Sequence, residues 1–358
     1  MTTVELHLVV PGSLAQNTGG YLYDARIANE LRQRAWHVTV HNLEGAFPVV
    51  DNQARTSLAQ TLEACPDGAR VLIDGLALAG FADLADTHSS RLRILGLIHH
   101  PLTEETGLAD QTRQQLATHE RNALAVCKGV VVTSAFTAKQ MDTYGVPVSS
   151  VRVVSPGNDP ASLAQGPVSG DPPCLLCVAS VIPRKGHEVL IQALARLREI
   201  SWNCVCVGSL TRAPTYAALV QEKARTSGLS GRICFTGECS TDVVHDFYDT
   251  SSVFVLPSHY EGYGMALVEA MLRGLPIVST TAGAIPSTVP PDTGMLVEPG
   301  NPELLADALS ALLAGEAGQV RRDTIGAAAR RHALSLPSWV QAARVFEAAI
   351  LELTPDES

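Results

Sequence analysis

Two glutamates eight residues apart mark the segment of the sequence with the clearest chemical potential. Glu261 precedes a predicted helix over Met265–Arg273, and Glu269 lies within that helix. Gly262 and Gly264 separate Glu261 from the helix, and glycine lets the backbone approach a ligand without a Cβ atom in the way. The first turn of a helix has unpaired N–H groups and the positive end of the helix dipole, which together suit a phosphate. The segment is typical of a site for a phosphorylated sugar, such as a sugar nucleotide.

A structural role for each glutamate is the alternative. Glu269 lies four residues before Arg273, so the two could form an ordinary helix ion pair worth about 0.2–0.5 kcal/mol, and Glu261 could be a solvated loop residue. However, Glu269 lies in an otherwise apolar helix, where a carboxylate needs a partner. The combination of two carboxylates with two glycines therefore favours a binding site.

Glycines and cations occur at the ends of two other predicted strands. Gly19 and Gly20 could present amides to a phosphate at the start of a helix, or could form a flexible turn. Arg184 and Lys185 precede a helix, although cations are favoured at the opposite end of a helix. An anion bound between them would remove this conflict. The alternative is a solvated basic pair on the surface.

Two adjacent histidines, His99 and His100, follow the fourth predicted strand. Either imidazole could bind a sugar hydroxyl or transfer a proton near neutral pH. A histidine in such a place is more often a structural residue whose hydrogen bonds are satisfied within the fold. The pattern leaves open which of the two faces a site.

Strands and helices alternate twice along the chain, which predicts two parallel sheets with helices on both faces. A linker rich in glycine and proline lies between the two series. We expect Rossmann-like domains at residues 1–165 and 166–335 that face each other across a cleft, because ligands bind beyond the carboxyl ends of parallel strands. Residues 336–358 form a last helix, and the pattern leaves open whether it packs back on the N-terminal domain.

Composition and charge exclude several classes of protein. The 358 residues are 46% hydrophobic and 17% charged, which fits two domains with large cores. The net charge is −10, and neither residues 1–165 (12 Lys+Arg against 16 Asp+Glu) nor the remainder (14 against 20) is basic. This balance disfavours nucleic acid as a partner and stable docking on an anionic membrane.

The sequence shows neither a signal peptide at its start nor an apolar run approaching the ~20 residues of a membrane span. We therefore expect a cytoplasmic protein without a stable membrane anchor. The eight cysteines do not form a disulfide framework and are expected to be reduced core residues.

Motifs that the sequence lacks narrow the chemistry further. There is no Asp-x-Asp pair to hold a divalent metal against a diphosphate, and no H-E-x-x-H pattern. The P-loop pattern is missing, so ATP hydrolysis is not expected. No G-x-G-x-x-G follows the first strand, which argues against a dinucleotide oxidoreductase. We expect neither a bound metal nor a cofactor.

In combination, these motifs resemble the retaining family 4 glycosyltransferases, which have the two-lobed GT-B fold. The E-x7-E segment from Glu261 to Glu269 is the strongest part of the likeness, and it continues through Thr281–Pro286 and Thr293–Gly300. The resemblance covers nearly the whole chain. It implies transfer of a hexose-type sugar from a UDP- or GDP-sugar to an unidentified acceptor hydroxyl, with retention of configuration and without a metal.

The resemblance implies that the C-terminal domain binds the nucleotide sugar. Glu269 would hold the ribose hydroxyls, and Glu261 would contact the transferred sugar. Arg184 and Lys185 would neutralise the diphosphate as it leaves; many relatives also carry an arginine where this chain has Ser180. Sugar and diphosphate would further contact the amides of the segment Gly262, Tyr263, Gly264 and Met265.

The resemblance implies that the N-terminal domain binds the acceptor. Gly20, preceded by Gly19, would add an amide to the donor site from this domain. His99 best matches the acceptor-lobe histidine of the family, with His100 close behind. The acidic charge of this domain favours a soluble acceptor over a membrane lipid.

Two other classes of function fit the same scaffold. One is a sugar-nucleotide enzyme that is not a transferase, such as a 2-epimerase, which would need an acid/base set at the sugar C2. The other is a catalytically silent protein that binds a sugar nucleotide. The presence of every donor-site motif argues against the silent protein.

Overall fold

The structure, a computed structural model, describes residues 4–355, apart from the side chains at positions 83, 85 and 86. It divides into two compact units. Unit 1 runs to Gly157 and resumes at Pro337, and unit 2 comprises Asn158–Leu336. The boundary lies before the expected one at 165/166, because the segment after Gly157 is hydrogen-bonded within unit 2: Ala164 N donates to Arg273 O at 2.9 Å.

Unit 1 contains a parallel sheet of six strands in the order β2-β1-β3-β4-β5-β6. The order reverses between β1 and β3, which makes a topological switch point where the loops from the two strands diverge. β3 to β5 are nearly fully buried, as expected for parallel strands covered on both faces. The strands are β1 Glu5–Pro11, β2 His37–Leu43, β3 Arg70–Asp74, β4 Arg93–Ile98, β5 Gly129–Val132 and β6 Val151–Val153.

Helices connect these strands and cover the sheet. The first begins at Gly19, directly after the loop that follows β1, so the paired glycines form the start of a helix. The helices of this part of the chain are α1 Gly19–Gln33, α2 Asn52–Ala64, α3 Gly75–Leu78, α4 Ala85–His88, α5 Asp110–Val126 and α6 Ala135–Gln140.

Unit 2 contains a second parallel sheet of six strands, in the order β12-β11-β10-β7-β8-β9. Its switch point lies between β7 and β10. The last strand was not predicted, because it is a short edge strand that begins with glycine and is only half-buried. The strands are β7 Cys174–Val178, β8 Asn203–Val207, β9 Ile233–Gly237, β10 Val253–Leu256, β11 Ile277–Thr280 and β12 Gly294–Val297.

One hydrophobic core holds the sheet and helices of unit 2 together. β10 is buried along its whole length, and the apolar face of α10 packs into the same core. The helices of unit 2 are α7 His187–Arg196, α8 Pro214–Thr226, α9 Thr241–Asp249, α10 Met265–Leu272, α11 Ile285–Thr288, α12 Pro302–Leu313 and α13 Gly315–Ala333.

The last helix, α14 (Trp339–Leu353), packs within unit 1. Its first turn is closed by a capping box in which Ser338 and Gln341 bind each other's main chain. The rings of Trp339 and Phe346 lie 6.1 and 6.4 Å from the ring of Tyr23 on α1. Polar contacts add to the packing, since the Glu347 carboxylate accepts hydrogen bonds from Trp36 Nε1 and Arg34. The chain therefore returns to its N-terminal unit.

All eight cysteines are free thiols, but they are not all core residues as expected. Four are buried, three are partly buried, and Cys234 is exposed on the surface. Within residues 4–355, no helix combines the length and apolar character that a membrane crossing requires.

Replacing Phe346 tests the packing of α14. Its side chain is fully buried, so Phe346→Ala should lower the free energy of unfolding by about 3–5 kcal/mol. The adjacent Val345 is 52% exposed, and Val345→Ala should change the free energy of unfolding by less than about 0.5 kcal/mol. Urea unfolding gives the magnitudes, and hydrogen exchange of the strands locates the loss in unit 1. Equal effects of the two substitutions would contradict the packing described.

Candidate active site

Arg184 and Lys185 lie at the switch point of unit 2. They belong to a short 3-10 turn, Pro183–Lys185, in the loop after β7, and the loop after β10 lies beside it. Gly186 ends the turn at φ +68°, where a Cβ atom would lie 2.1 Å from the carbonyl oxygen of Pro257. Only glycine allows this close approach. The two loops are therefore held together at the carboxyl ends of neighbouring strands.

Hydrogen bonds fix the positions of the two loops. His259 N donates to Arg184 O at 2.8 Å, and Arg184 Nη1 donates to Tyr260 O at 2.9 Å. On the other side, Ala284 N donates to the carbonyl oxygen of Glu261 at 2.8 Å. Gly283, at φ +58°, leaves no room for a Cβ beside the same residue. The main chain around Glu261 is therefore held from both sides.

The Glu261 carboxylate lies between the two cations. Lys185 Nζ is 2.5 Å from Glu261 Oε1, and Arg184 Nη1 is 3.8 Å from Oε2. Ser258 Oγ donates to Oε1 at 2.6 Å. We call these four residues the ion cluster. The anion expected between Arg184 and Lys185 is thus supplied from the other loop of the same unit.

Electrostatics keep the Glu261 carboxylate ionised. Glu261 is only 6% exposed. Burial raises its pKa, but the charges of Lys185 and Arg184 outweigh this effect and hold the pKa below its usual value. Burial also lowers the pKa of Lys185, with Glu261 opposing the shift. The cluster of two cations and one carboxylate carries a net charge of about +1 when all three groups are ionised.

The helix α10 begins next to the ion cluster in the sequence. Gly264 is its N-cap residue at φ +91°, and a Cβ atom there would come within 2.6 Å of Leu267 Cδ1. As a glycine, Gly264 has no side chain to cap the helix start. The first amides of α10, beginning at Met265, are therefore available to an anion. Gly262 and Tyr263 connect the ion cluster to this helix start.

Glu269 lies in the second turn of α10. Its Oε2 accepts a hydrogen bond from Tyr248 Oη at 3.0 Å. Arg273 Nη1 donates to the main-chain oxygen of Glu269 at 3.0 Å, and its guanidinium lies 4.5 Å above the ring of Tyr248. Burial raises the pKa of Glu269, although the bond from Tyr248 and the charge of Arg273 oppose this shift. Arg273 thus binds the main chain of Glu269 as well as acting on its carboxylate electrostatically.

In unit 1, His99 lies against two buried carboxylates. His99 Nε2 is 3.0 Å from Asp24 Oδ1 and 3.4 Å from Asp74 Oδ2. Asp24 lies on α1, Asp74 ends β3 and His99 directly follows β4, so the group surrounds the switch point of this sheet. The rings of His99 and Tyr23 are nearly perpendicular, with centroids 5.4 Å apart. The imidazole is therefore fixed on several sides.

The two carboxylates favour the charged imidazolium form of His99. Burial alone lowers its pKa, but the charges and hydrogen bonds of Asp24 and Asp74 outweigh burial and raise the pKa to about 10. Burial raises the pKa of Asp24 to about 6, with Asp74 adding to the shift and His99 opposing it. At neutral pH His99 is consequently a hydrogen-bond donor. The ligand atoms of the three groups lie within 4.8 Å of one another, but a metal would bind there only after His99 lost the proton on Nε2.

The other predicted residues of unit 1 take different places. A Cβ atom on Gly20 would lie 3.1 Å from His99 Cδ2, so this glycine makes room for the imidazole. Gly19 is the first residue of α1. His100 Nε2 lies 3.6 Å from Glu105 Oε2. Of the two histidines, His99 is the one that joins a cluster of buried charges.

Several residues of both sites were not predicted from the sequence. Asp24 is one of many carboxylates on amphipathic helices, and Asp74 is the last residue of an ordinary apolar strand. Ser258 and Tyr248 support the two glutamates through single hydrogen bonds. The one available signal was position in the sequence. Asp74 ends β3 and Ser258 follows β10, and the carboxyl ends of these two strands lie at the sites.

A protein family model matches most of unit 2. Residues 158–332 match the family model described as Glycosyl transferases group 1. This group 1 segment lies within unit 2 and contains the ion cluster, the start of α10 and Glu269.

Curated relatives are glycosyltransferases by name. A D-inositol 3-phosphate glycosyltransferase of Xylanimonas cellulosilytica is 28% identical over 229 residues, covering 59% of this chain and 54% of the relative. A GDP-mannose-dependent alpha-(1-6)-phosphatidylinositol monomannoside mannosyltransferase of Mycobacterium tuberculosis is 25% identical over 202 residues, covering 51% and 52%. The chain spans about half the length of these relatives.

Solved structures share the fold across the chain. Sucrose-phosphate synthase of Thermosynechococcus elongatus matches with a TM-score of 0.80 at 20% identity, covering 96% of this chain and 98% of that one. HepE of Anabaena, solved with UDP and glucose, matches with a TM-score of 0.75 at 19% identity and the same coverage. These likenesses confirm the predicted GT-B fold of two parallel-sheet domains.

Replacing Asp24 tests the charge state of His99. Because its folded-state pKa lies above 6.5, His99 stabilises the fold below pH 6.5, and this contribution is lost as the pH rises through about 10. Asp24→Asn removes the nearer carboxylate and should lower the pKa of His99. NMR titration of the imidazole resonances measures the shift.

The control for this titration is Glu105→Gln, which changes a carboxylate beside His100 and should leave the pKa of His99 unaltered. A His99 that titrates near 6.5 in the unaltered protein would contradict the description of the cluster. So would an unchanged pKa in Asp24→Asn.

Proposed function

We propose that the protein transfers a hexose-type sugar from a nucleoside diphosphate sugar to an acceptor hydroxyl, with retention of configuration and without a metal. The observation that carries this proposal is the ion cluster at the switch point of unit 2. It presents two cations, held by one buried carboxylate, next in sequence to an uncapped helix start. Such a site suits a diphosphate that gains charge as it leaves.

The charges of the ion cluster support stabilisation of the leaving group. Glu261 fixes Lys185 and Arg184 in place but neutralises only one of their two charges. The remaining positive charge and the amides at the start of α10 would act on the diphosphate oxygens. Preorganised charges of this kind are usually the largest contribution to catalysis in such sites. They would serve the role that a divalent metal serves in other transferases.

Glu269 suits the ribose of the donor. Tyr248 occupies one carboxylate oxygen of Glu269, and the hydrogen bonds found in the described residues leave the other, Oε1, for a ligand. The carboxylate is half-buried, so a pair of ribose hydroxyls would restore hydrogen bonds that burial removes. This role agrees with the role implied by the family resemblance.

His99 suits a hydroxyl or phosphate oxygen as a hydrogen-bond donor. Asp24 and Asp74 keep it protonated, and they bind its Nε2 atom, so the proton on Nδ1 is the one available to a substrate. An imidazolium of this kind is not suited to accept a proton from an acceptor. We therefore assign His99 the role of orienting a substrate oxygen.

The names of the relatives and the charge of the chain guide the choice of nucleotides and acceptors to test. One relative is named for GDP-mannose and HepE was solved with UDP, which supports testing both bases. The excess of acidic over basic residues in residues 1–165 favours a soluble acceptor over a membrane lipid. Because relatives are named for phosphatidylinositol monomannoside and inositol phosphate acceptors, both kinds belong in the acceptor panel.

A donor panel tests the proposal. The protein is incubated with UDP-, GDP- and ADP-sugars, with and without acceptors, and the products are analysed by NMR. We expect nucleoside diphosphate release and an anomeric configuration equal to that of the donor, at a rate that added Mg²⁺ or Mn²⁺ does not raise. Epimer formation without acceptor would indicate a 2-epimerase, and tight binding without turnover a silent protein. If none of these sugar nucleotides is bound or turned over, the proposal is refuted.

Substitutions in unit 2 test the roles of individual residues. Lys185→Ala should lower kcat about 10²–10³-fold, the range for loss of one preorganised donor. Glu269→Gln should weaken binding of the nucleoside diphosphate about tenfold or more, because charged hydrogen bonds are worth about 1.5–3 kcal/mol. Kinetics and calorimetric titration measure the two effects. Lys223→Ala is the control, since it removes another ion-paired lysine of unit 2; loss of activity in this variant alone would refute the assignment.

A further inference from the structure

A cluster of metal-binding side chains lies in unit 1 apart from the candidate active site. It contains His7 on β1, His41 on β2 and Cys65, which directly follows α2. One ligand atom from each residue lies within 4.8 Å of the other two. Because Val9 pairs with His41 and side chains alternate along a strand, His7 and His41 project from the same face of the sheet.

We propose that His7, His41 and Cys65 bind one Zn²⁺ ion, with the fourth ligand position open to solvent. The donor set is two imidazole nitrogens and one thiol sulfur. Nitrogen and sulfur ligands select zinc and similar transition metals, whereas Mg²⁺ and Ca²⁺ take oxygen ligands. Three protein ligands and one open position are the arrangement of catalytic zinc sites, whereas structural zinc sites are closed by four protein ligands.

The geometry of the two histidines is close to that of a metal site. His7 Nδ1 and His41 Nε2 lie 2.9 Å apart, and the rings are stacked with centroids 5.2 Å apart. With Zn–N distances of about 2.0–2.1 Å, a tetrahedral site separates two nitrogens by roughly 3.3 Å. A small opening of the pair would suffice. The ion would take the place of the one proton that the two nitrogens share.

The protonation states of the three groups also suit a cation. Burial lowers the pKa of His7, despite Glu5, and lowers the pKa of His41, which favours the neutral form of both rings. Neutral imidazole is the form that binds metals. Burial raises the pKa of the Cys65 thiol, with Arg91 opposing the shift, so binding would release its proton.

The alternative is a hydrogen-bonded histidine pair beside a core thiol. In support of that alternative, Cys65 Sγ donates to Thr61 O at 3.3 Å. A second free cysteine, Cys127, has this structural role alone: it follows α5 and donates to Ala123 O at 3.2 Å. Among the described residues, the histidine pair lies in one group with Cys65, and Cys127 lies in no such group.

An ion could reach the cluster from solvent. A groove of about 660 Å³ is lined by His41 and by Thr61 and Ala64 from the end of α2. It opens beside the cluster, so a water molecule could take the fourth position. A bound ion would tie the end of α2 to β1 and β2, and we expect it to stabilise unit 1.

Titration of the purified full chain with Zn²⁺ and Co²⁺ tests the proposal. We expect one ion per chain at micromolar affinity or tighter, a thiolate-to-cobalt charge-transfer band, and a rise in Tm with Zn²⁺ because the ion binds the folded state. Cys65→Ser and His41→Gln should each weaken Zn²⁺ binding at least tenfold, and Cys65→Ser should abolish the band.

Cys127→Ser is the matched control and should retain the affinity, the band and the rise in Tm. Circular dichroism confirms that each variant is folded. The proposal is overturned if the unaltered chain binds no ion, or if Cys65→Ser binds as the control does. These readouts need no sugar nucleotide, so their outcome is independent of the proposed transfer reaction.

Discussion

The contact between Glu261 and the two cations of the ion cluster is the interaction on which the candidate donor site depends. Taking these charges out of water is costly, and a carboxylate placed between two cations repays much of that cost. Removal of Glu261 would leave Lys185 and Arg184 close together without a counter-ion. The carboxylate thus allows the fold to keep positive charge at the carboxyl ends of β7 and β10. That positive charge makes the site suitable for a diphosphate.

The two units reach a similar arrangement from different residues. In each, the strand order reverses once, and ionisable groups with little exposure gather around the reversal. Unit 2 places two cations around the Glu261 carboxylate, whereas unit 1 places the carboxylates of Asp24 and Asp74 against His99. With every group ionised, two cations and one carboxylate make the first cluster positive, and two carboxylates and one imidazolium make the second negative. Unit 2 is suited to bind an anion, whereas unit 1 is suited to hold His99 as a charged hydrogen-bond donor.

Much of the fold and part of the site could be predicted from the sequence. Buried parallel strands have continuous apolar runs, so most strands were evident, while the short edge strand β12 was not. Gly264 and the two glutamates lie close in sequence, and local pattern was enough to find them. The pairing of Lys185 with Glu261 joins residues 76 positions apart. Such contacts depend on the strand order, which local pattern does not determine.

The most direct test of the donor site is a crystal structure of the protein soaked with a mixture of UDP-, GDP- and ADP-sugars. The account predicts density for one nucleotide in unit 2, with the diphosphate on Lys185, Arg184 and the first amides of α10, and the ribose on Glu269. Nucleotide bound elsewhere, or bound in unit 2 without contact to the ion cluster, would contradict it.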